Sequence, residues 1–430
     1  MSRVGIVGLG YVGLTLAVAL GHKGFSVYGV DKSERVVESL RTRRAHLFEP
    51  GVSEGLEELI GNGIEVAAEL PEGALEAVIL CVSTPVDSRT HAPDLENLRA
   101  AARHVAERCA PETLVIVRST VPVGASRSVV LPELAQRWPA PRLAMAPERT
   151  IQGQALRELE ALPQVVGGID RASCDAAVAL FSRVTRRVVP VASLETAELV
   201  KLVNNAHTDL IYAFGNEVAL MAERWGLDPL EVVRSANVDY PRPDLSKPGF
   251  VGGACLSKDP YILASAAEAA GAKPWLVGQA RALNEYLPRH VAERVVALIR
   301  ATRGSTAGAV LSVLGWAYKG WPPTDDMRGA PSVAMLPTFR AAGLTLRGHD
   351  FLVSPDVIRG LGATPVTPAE AFAGADAVLF ITDHPEYGKL DIRQLCGTLR
   401  PPALVYDCWR ILAEDAVHDA AVRYAGIGYG

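Results

Sequence analysis

A short apolar run, Val4–Val7, leads at once into Gly8-Leu9-Gly10-Tyr11-Val12-Gly13 and then into an apolar stretch of helical period. Few folds accept that order. The first glycine permits a tight turn, the second lets a pyrophosphate approach the backbone, and the third lets the helix pack on the strand. The helix N-terminus then offers free N–H groups and a positive dipole end to phosphates. Alone the pattern is weak. Here Asp31 ends the next apolar run, Ser26–Val30, about 20 residues on, where a carboxylate accepts from a ribose 2′-hydroxyl. The same carboxylate repels a 2′-phosphate, which favours NAD over NADP, although Lys32 and Arg35 lie close enough to soften that preference. The segment reads as an NAD site built from Gly8, Gly10, Tyr11, Val12, Gly13, Asp31 and Lys32.

The same alternation of strand and helix continues. Ala77–Val82, Leu114–Val117 and Arg142–Met145 are further short apolar runs between helical stretches, the pattern of a parallel sheet covered on both faces. From about Leu194 to Trp225 the period is helical without a breaker until Gly215, and Gly226 stops it, which predicts a long connecting helix. Residues 241–253, dense in Pro and Gly, read as loop, and a second helix follows over Pro274–Arg300. Strand and helix then alternate again, with strands expected at Val310–Leu314, Leu344–Arg347, Ala377–Ile381 and Leu404–Tyr406. The expected fold is α/β: two Rossmann-like doubly wound domains, 1–193 and 304–430, joined by a long central helix and a helical middle domain, 194–303.

Composition narrows the partners. At 430 residues, 49% hydrophobic and 21% charged, the chain is globular rather than disordered. A net charge of −5 argues against a nucleic-acid binder, which carries a basic excess. The first residues resemble a signal peptide only in their apolarity, since glycines break them into strand, turn and helix. No stretch has the ~20 uninterrupted apolar residues of a membrane span. The six cysteines are scattered without a CxxC pair, so neither a disulfide framework nor a zinc site is expected, and the cytoplasm is the simpler location.

Three segments do not look like scaffold. In Glu198-Leu-Val-Lys201-Leu-Val-Asn204-Asn205 the lysine and Asn205 are four apart, one above the other on a helix, and suit a developing oxyanion. In Gly252-Gly253-Ala254-Cys255-Leu256-Ser257-Lys258-Asp259 the glycines would let a substrate approach the thiol, and a nearby cation would lower its pKa. Cys81, by contrast, lies in an apolar strand. Glu148, in Ala146-Pro147-Glu148-Arg149-Thr150, and Thr120, in Arg118-Ser119-Thr120-Val121-Pro122-Val123-Gly124, follow strands at the carboxyl end, where open α/β sheets bind ligands.

Taken together these motifs resemble the UDP-sugar 6-dehydrogenase family, which includes the UDP-glucose and UDP-N-acetylhexosamine dehydrogenases. The likeness runs nearly the whole chain. It includes GLGYVGL, Glu49-Pro50-Gly51, Ser83-Thr84-Pro85, Ser119–Gly124, Pro147-Glu148, Lys201 with Asn205, Pro248–Cys255, Asp259-Pro260, Ala317-Tyr318-Lys319 and Thr324–Arg328. The resemblance implies a four-electron oxidation of a UDP-hexose at C6 to the carboxylate, with NAD as acceptor. Cys255 would trap the aldehyde as a thiohemiacetal that is oxidised to a thioester. Lys201 and Asn205 would hold the oxyanion, Asp259, one helical turn beyond Cys255, would steer water, and Glu148 would be the base for thioester hydrolysis. Thr120 would help hold the reacting centre. Thr84, Thr120, Lys258 and Arg328 would face the cofactor, and Glu148, Arg149, Lys201, Asn205, Phe250, Gly252 and Lys319 the substrate. The family also implies a homodimer through the central helix, with Arg242 reaching the neighbour's substrate.

The chain departs from the commonest pattern: Glu148 is followed by Arg149, and Gln152 stands where many members have a second glutamate. Pro147-Glu148-Arg149 and Tyr240-Pro241-Arg242 resemble the N-acetylhexosamine branch, whereas Thr324-Asp325-Asp326-Met327-Arg328 resembles the glucose branch. The competing expectation is a two-electron NAD-dependent dehydrogenase of the β-hydroxyacid type, which shares the first domain and the Lys–Asn pair but needs no cysteine.

Overall fold

The computed structural model describes residues 2–73, 75–241, 244–417 and 421–430. It divides into two compact units, one of residues 1–205 and 258–274 and the other of residues 206–257 and 275–430.

The first unit is built on an eight-stranded sheet of order β3-β2-β1-β4-β5-β6-β7-β8. Its strands are β1 (Arg3–Val7), β2 (Ser26–Val30), β3 (Ile64–Ala67), β4 (Ala77–Leu80), β5 (Leu114–Val117), β6 (Arg142–Met145), β7 (Gln164–Gly168) and β8 (Val188–Val191). Both faces are buried, which explains apolar runs rather than alternation. Ile79, Ile116 and Ala144 join one core, while Val78, Leu80, Val115, Val117, Leu143 and Met145 join the other.

One pairing departs from the expected parallel sheet. β6 and β7 are antiparallel, with Ala144 opposite Gly168 and Met145 opposite Gly167. Antiparallel neighbours are joined at one end, so residues 146–163 stay at the carboxyl end of the sheet. Glu148 and Arg149 are therefore carried to the edge where ligands bind such sheets.

The second unit repeats the plan with six strands, all paired in parallel, in the order β11-β10-β9-β12-β13-β14. They are β9 (Val310–Leu314), β10 (Thr345–His349), β11 (Thr364–Pro365), β12 (Ala377–Phe380), β13 (Ala403–Asp407) and β14 (Val422–Ala425). The likeness extends to single residues. Gly8 follows β1 with φ +93°, and Gly315 follows β9 with φ +88°. Asp31, after β2, accepts the Leu9 N–H at 2.8 Å; Asp350, after β10, accepts the Trp316 N–H at 2.6 Å. In each sheet a carboxylate beyond the second strand pins the turn beyond the first.

The predicted helix Leu194–Trp225 forms with those ends, and residues 194–205 belong to the first unit, the remainder to the second. The second long helix runs Val277–Arg303, three residues later than expected, with Pro288 inside it. Among the described residues no helix is long and apolar enough to cross a membrane.

The glycines of the first turn are not equivalent. A Cβ on Gly13 would fall on the carbonyl oxygen of Gly8, whereas one on Gly10 meets nothing within 4 Å. Gly13→Ala should therefore cost about 1–3 kcal/mol by overpacking and lower the unfolding midpoint by several degrees. Gly10→Ala should leave it unchanged, and equal midpoints for the two variants would contradict this packing.

Candidate active site

At the carboxyl end of β1 the helix Tyr11–His22 begins with Gly10 as its N-cap, with no side-chain cap and no acid in its first turn. The open space over Gly10 and the close packing beneath Gly8, where a Cβ would lie 2.7 Å from the Cys81 carbonyl, make a cradle of bare backbone N–H groups. That arrangement fits a dinucleotide pyrophosphate. Asp31 stands beside it, half-buried, its two oxygens accepting from the Leu9 and Ser33 N–H groups. Lys32 turns to Asn97, donating at 2.7 Å, and Asn97 in turn donates to Ser83.

A second cluster in the same unit centres on Asp259. Its carboxylate is fully buried and accepts from the Lys258 ammonium at 2.8 Å and from the Asn205 amide at 2.5 Å. Lys258 also reaches the Thr84 hydroxyl at 3.4 Å, and Thr84 donates to the Thr120 carbonyl at 2.6 Å. Five predicted residues from four distant segments are thus joined in one chain of hydrogen bonds.

Glu148 is held differently. One oxygen accepts from Arg118 Nε at 3.1 Å and Nη2 at 2.5 Å; the other accepts from the Arg149 and Thr150 N–H groups at 2.7 and 2.9 Å. Four donors match the four lone-pair sites of a carboxylate. Burial pushes its pKa up, but the Arg118 charge, the Thr150 N–H and the charge of buried Lys201 outweigh it, leaving Glu148 below the ordinary carboxylate range. Arg118 is itself buried and also donates to Gln164 and the Ala146 carbonyl. Arg149 donates to the Pro163 carbonyl.

The remaining predicted residues lie in the second unit. Cys255 is exposed in the short helix Gly253–Leu256. A new helix, Asp259–Ala269, starts after Ser257-Lys258, with Pro260 in its first turn. Cys255 and Asp259 are therefore not one turn apart on a single helix, because proline favours a helix start and interrupts an interior. The two glycines before Cys255 also meet a packing constraint that the sequence did not show. A Cβ on Gly252 would fall on the Gly329 carbonyl, and Gly253, at φ +88°, lies against the Tyr318 ring. The chain's own backbone and a tyrosine thus require their small size. Arg328, expected at the cofactor, pairs with Asp326 at 2.6 Å, while its carbonyl accepts the Gly253 N–H at 3.0 Å. Phe250 is buried, and Lys319 lies over the Tyr318 ring at 5.5 Å. Arg242 falls outside the described residues.

The other thiols have no comparable setting. Burial pushes Cys81 up to about 12 and Cys109 to about 11, and burial also raises Cys408 well above the ordinary thiol range.

Comparison with known proteins agrees with this geometry. The UDP-glucose/GDP-mannose dehydrogenase family matches through its NAD binding domain over residues 2–185, its central domain over 195–286 and its UDP binding domain over 312–414. The chain belongs to that family. It is 31% identical to a UDP-N-acetyl-D-mannosamine dehydrogenase of Pyrococcus horikoshii, over 100% of this chain and 99% of that one. It is 30% identical to a UDP-glucose 6-dehydrogenase of Rhizobium meliloti, over 99% of both. A solved structure of the UDP-D-ManNAc dehydrogenase from Pyrococcus horikoshii superimposes with TM-score 0.88 at 30% identity, covering 100% of this chain and 99% of that chain. The chain is thus an NAD-dependent oxidoreductase of the nucleotide-sugar dehydrogenase family.

Sequence reasoning missed Arg118, which it quoted only as part of a motif. A buried arginine one residue beyond the strand β5 leaves no periodic signal, because its burial depends on Glu148, thirty residues on. Glu148→Gln would strand the Arg118 charge and should cost about 3–5 kcal/mol. Because the folded carboxyl is depressed, the pair's contribution is complete above the ordinary value of about 4.3 and fades as pH falls below it. The difference in denaturant midpoint between wild type and variant should therefore shrink on acidification. A difference that is small at pH 7, or that grows toward pH 3, would contradict the pairing.

Proposed function

We propose that the chain oxidises the C6 hydroxymethyl of a UDP-hexose to a carboxylate, with Cys255 as the covalent nucleophile. The observation that carries the reading is that Cys255 alone of the six thiols is exposed, in a sequence that places Lys258 and Asp259 three and four residues after it. NAD, when bound over Gly10, accepts hydride. The alcohol loses one hydride and one proton to give an aldehyde, to which the Cys255 sulfur adds, forming a thiohemiacetal. Loss of a second hydride and proton gives a thioester, and water then releases the uronate and the thiol. In sum the alcohol, one water and two NAD give the carboxylate, two NADH and three protons.

Each residue has a task matched to its chemistry. Lys201 and Asn205 stabilise the oxyanion at the tetrahedral stages, and Asp259, bonded to Lys258, steers water. Thr120 and Thr84 help hold the reacting centre beside the cofactor. Glu148 is the base for thioester hydrolysis once it gives up one of its four donors; until then it is ionised and held in place. Phe250, Gly252, Arg149, Lys319 and the loop with Arg242 contact the UDP-sugar, and Arg328, expected at the cofactor, also braces the thiol loop through its carbonyl.

Regions 1–193, 194–303 and 304–430 take the cofactor, the catalytic loop with the dimer contact, and UDP. Ile211, Phe214, Met221 and Trp225 are exposed on the long helix, followed by Leu227, which supports a homodimer formed through that helix. An exposed working thiol needs a reducing compartment, which supports the cytosol. Relatives named for N-acetyl-D-mannosamine and for glucose are similarly distant, and the Pro147-Glu148-Arg149 segment inclines the sugar to an N-acetylhexosamine.

The test is Cys255→Ala assayed with UDP-N-acetylmannosamine, UDP-N-acetylglucosamine, UDP-glucose and UDP-galactose, with the uronate measured directly. The wild type should form uronate from at least one of these and the variant none. Uronate from the variant at the wild-type rate would overturn the covalent route.

A further inference from the structure

Resting on the reading of Cys255 as nucleophile, we infer that Arg281 is a positioning residue that fixes the backbone of the thiol loop through Asp209, Asn284 and Asn216. Arg281 is among the largest fully buried side chains, on the helix Val277–Arg303. Its Nη1 donates to Asp209 Oδ1 at 2.6 Å and to the Leu256 carbonyl, one residue past Cys255, at 3.0 Å; its Nη2 donates to the Val251 carbonyl at 3.3 Å. Asn284, one turn along, donates to both the side chain and the carbonyl of Asp209 at 2.9 Å. Asn216 donates to Asn284 Oδ1 at 2.8 Å and accepts the Gly249 N–H at 2.8 Å. All these residues belong to one unit. The network begins at Gly249 and ends at Leu256, so it grips both ends of the segment that carries the thiol.

A role in stability alone does not account for this arrangement. A buried ion pair adds little over apolar residues of the same volume, because desolvation offsets the Coulomb attraction. What it adds is direction. The planar guanidinium serves a carboxylate and two carbonyls at fixed angles, which an ammonium cannot do. The backbone at Gly249 is also closed from the other side, where a Cβ would fall on the Trp409 ring. The sulfur can then be held where an aldehyde carbon arrives, and a displacement of about 1 Å in such a site can cost about a hundredfold in rate.

Arg281→Lys in the full chain keeps the charge opposite Asp209 and removes the fork. The expected result is a kcat lower by about tenfold to a hundredfold, with KM for NAD unchanged and an altered rate of Cys255 alkylation by iodoacetamide, read by peptide mass spectrometry. A variant with a lower unfolding midpoint but wild-type kcat and alkylation would show a merely structural role and overturn the inference. Cys255→Ala run alongside separates the two claims. If it still forms uronate, the nucleophile reading fails. If it is inactive while Arg281→Lys behaves as wild type, only the positioning role fails. Should Arg281→Lys not fold, Asn216→Ser at the far end of the network is measured in the same way: a similar loss of kcat supports the inference, and wild-type kcat and alkylation overturn it.

Discussion

A fully buried carboxylate, Asp259, is the constraint around which the catalytic half of the first unit is arranged. An ionised carboxylate removed from water is tolerated only where donors replace its hydration. Lys258 and Asn205 supply them, and that requirement draws the long helix to the start of the helix Asp259–Ala269. Lys258 extends the same network to Thr84, and through it to Thr120 beyond β5. One buried carboxylate thus lies in a network that links four segments. The pair of Arg118 with Glu148 and the pair of Arg281 with Asp209 follow the same rule in their own surroundings. In each the two charges face one another, and the guanidinium also donates to a backbone carbonyl: Ala146 for Arg118, Val251 and Leu256 for Arg281.

The two sheets show a second economy of means. Both carry a glycine of positive φ after the first strand and an aspartate after the second that accepts from the turn. The aspartate of the first sheet was legible as a ribose acceptor because it lies about 20 residues beyond a glycine motif. Asp350 carries no such signal, since in Gly315-Trp316-Ala317-Tyr318-Lys319-Gly320 an alanine replaces the second glycine of the motif and Asp350 follows at a longer spacing than Asp31. Similar backbone geometry is here reached from dissimilar sequences.

Much of the architecture could be read before the structure was known. The long helix was legible at both ends because its period continues past Gly215 and Gly226 stops it. The strands β1, β5, β6 and β9 were legible because both their faces are largely buried and so leave apolar runs, and β2, half-buried on one face, was legible between the glycine turn and Asp31. β8 was not: Val188–Val191 is half exposed and contains Pro190, which weakens any strand signal. The antiparallel turn between β6 and β7 was also hidden, because direction within a sheet leaves no local pattern. For the site, residue types and spacing pointed to Lys201, Asn205, Cys255 and Asp259. They did not reveal what Gly252 and Gly253 touch, nor that Arg118, Arg281 and Asp209 are buried. A charged side chain is read as exposed by default, and only its distant partners reverse that.

The account turns on the number of hydrides removed from one carbon. The most direct measurement is the NADH formed per UDP-sugar consumed by the wild-type enzyme at completion, with the product identified. Two NADH for each uronate is the predicted result. One NADH for each sugar, with the product remaining an aldehyde or ketone, would contradict the covalent four-electron route and favour a two-electron dehydrogenase.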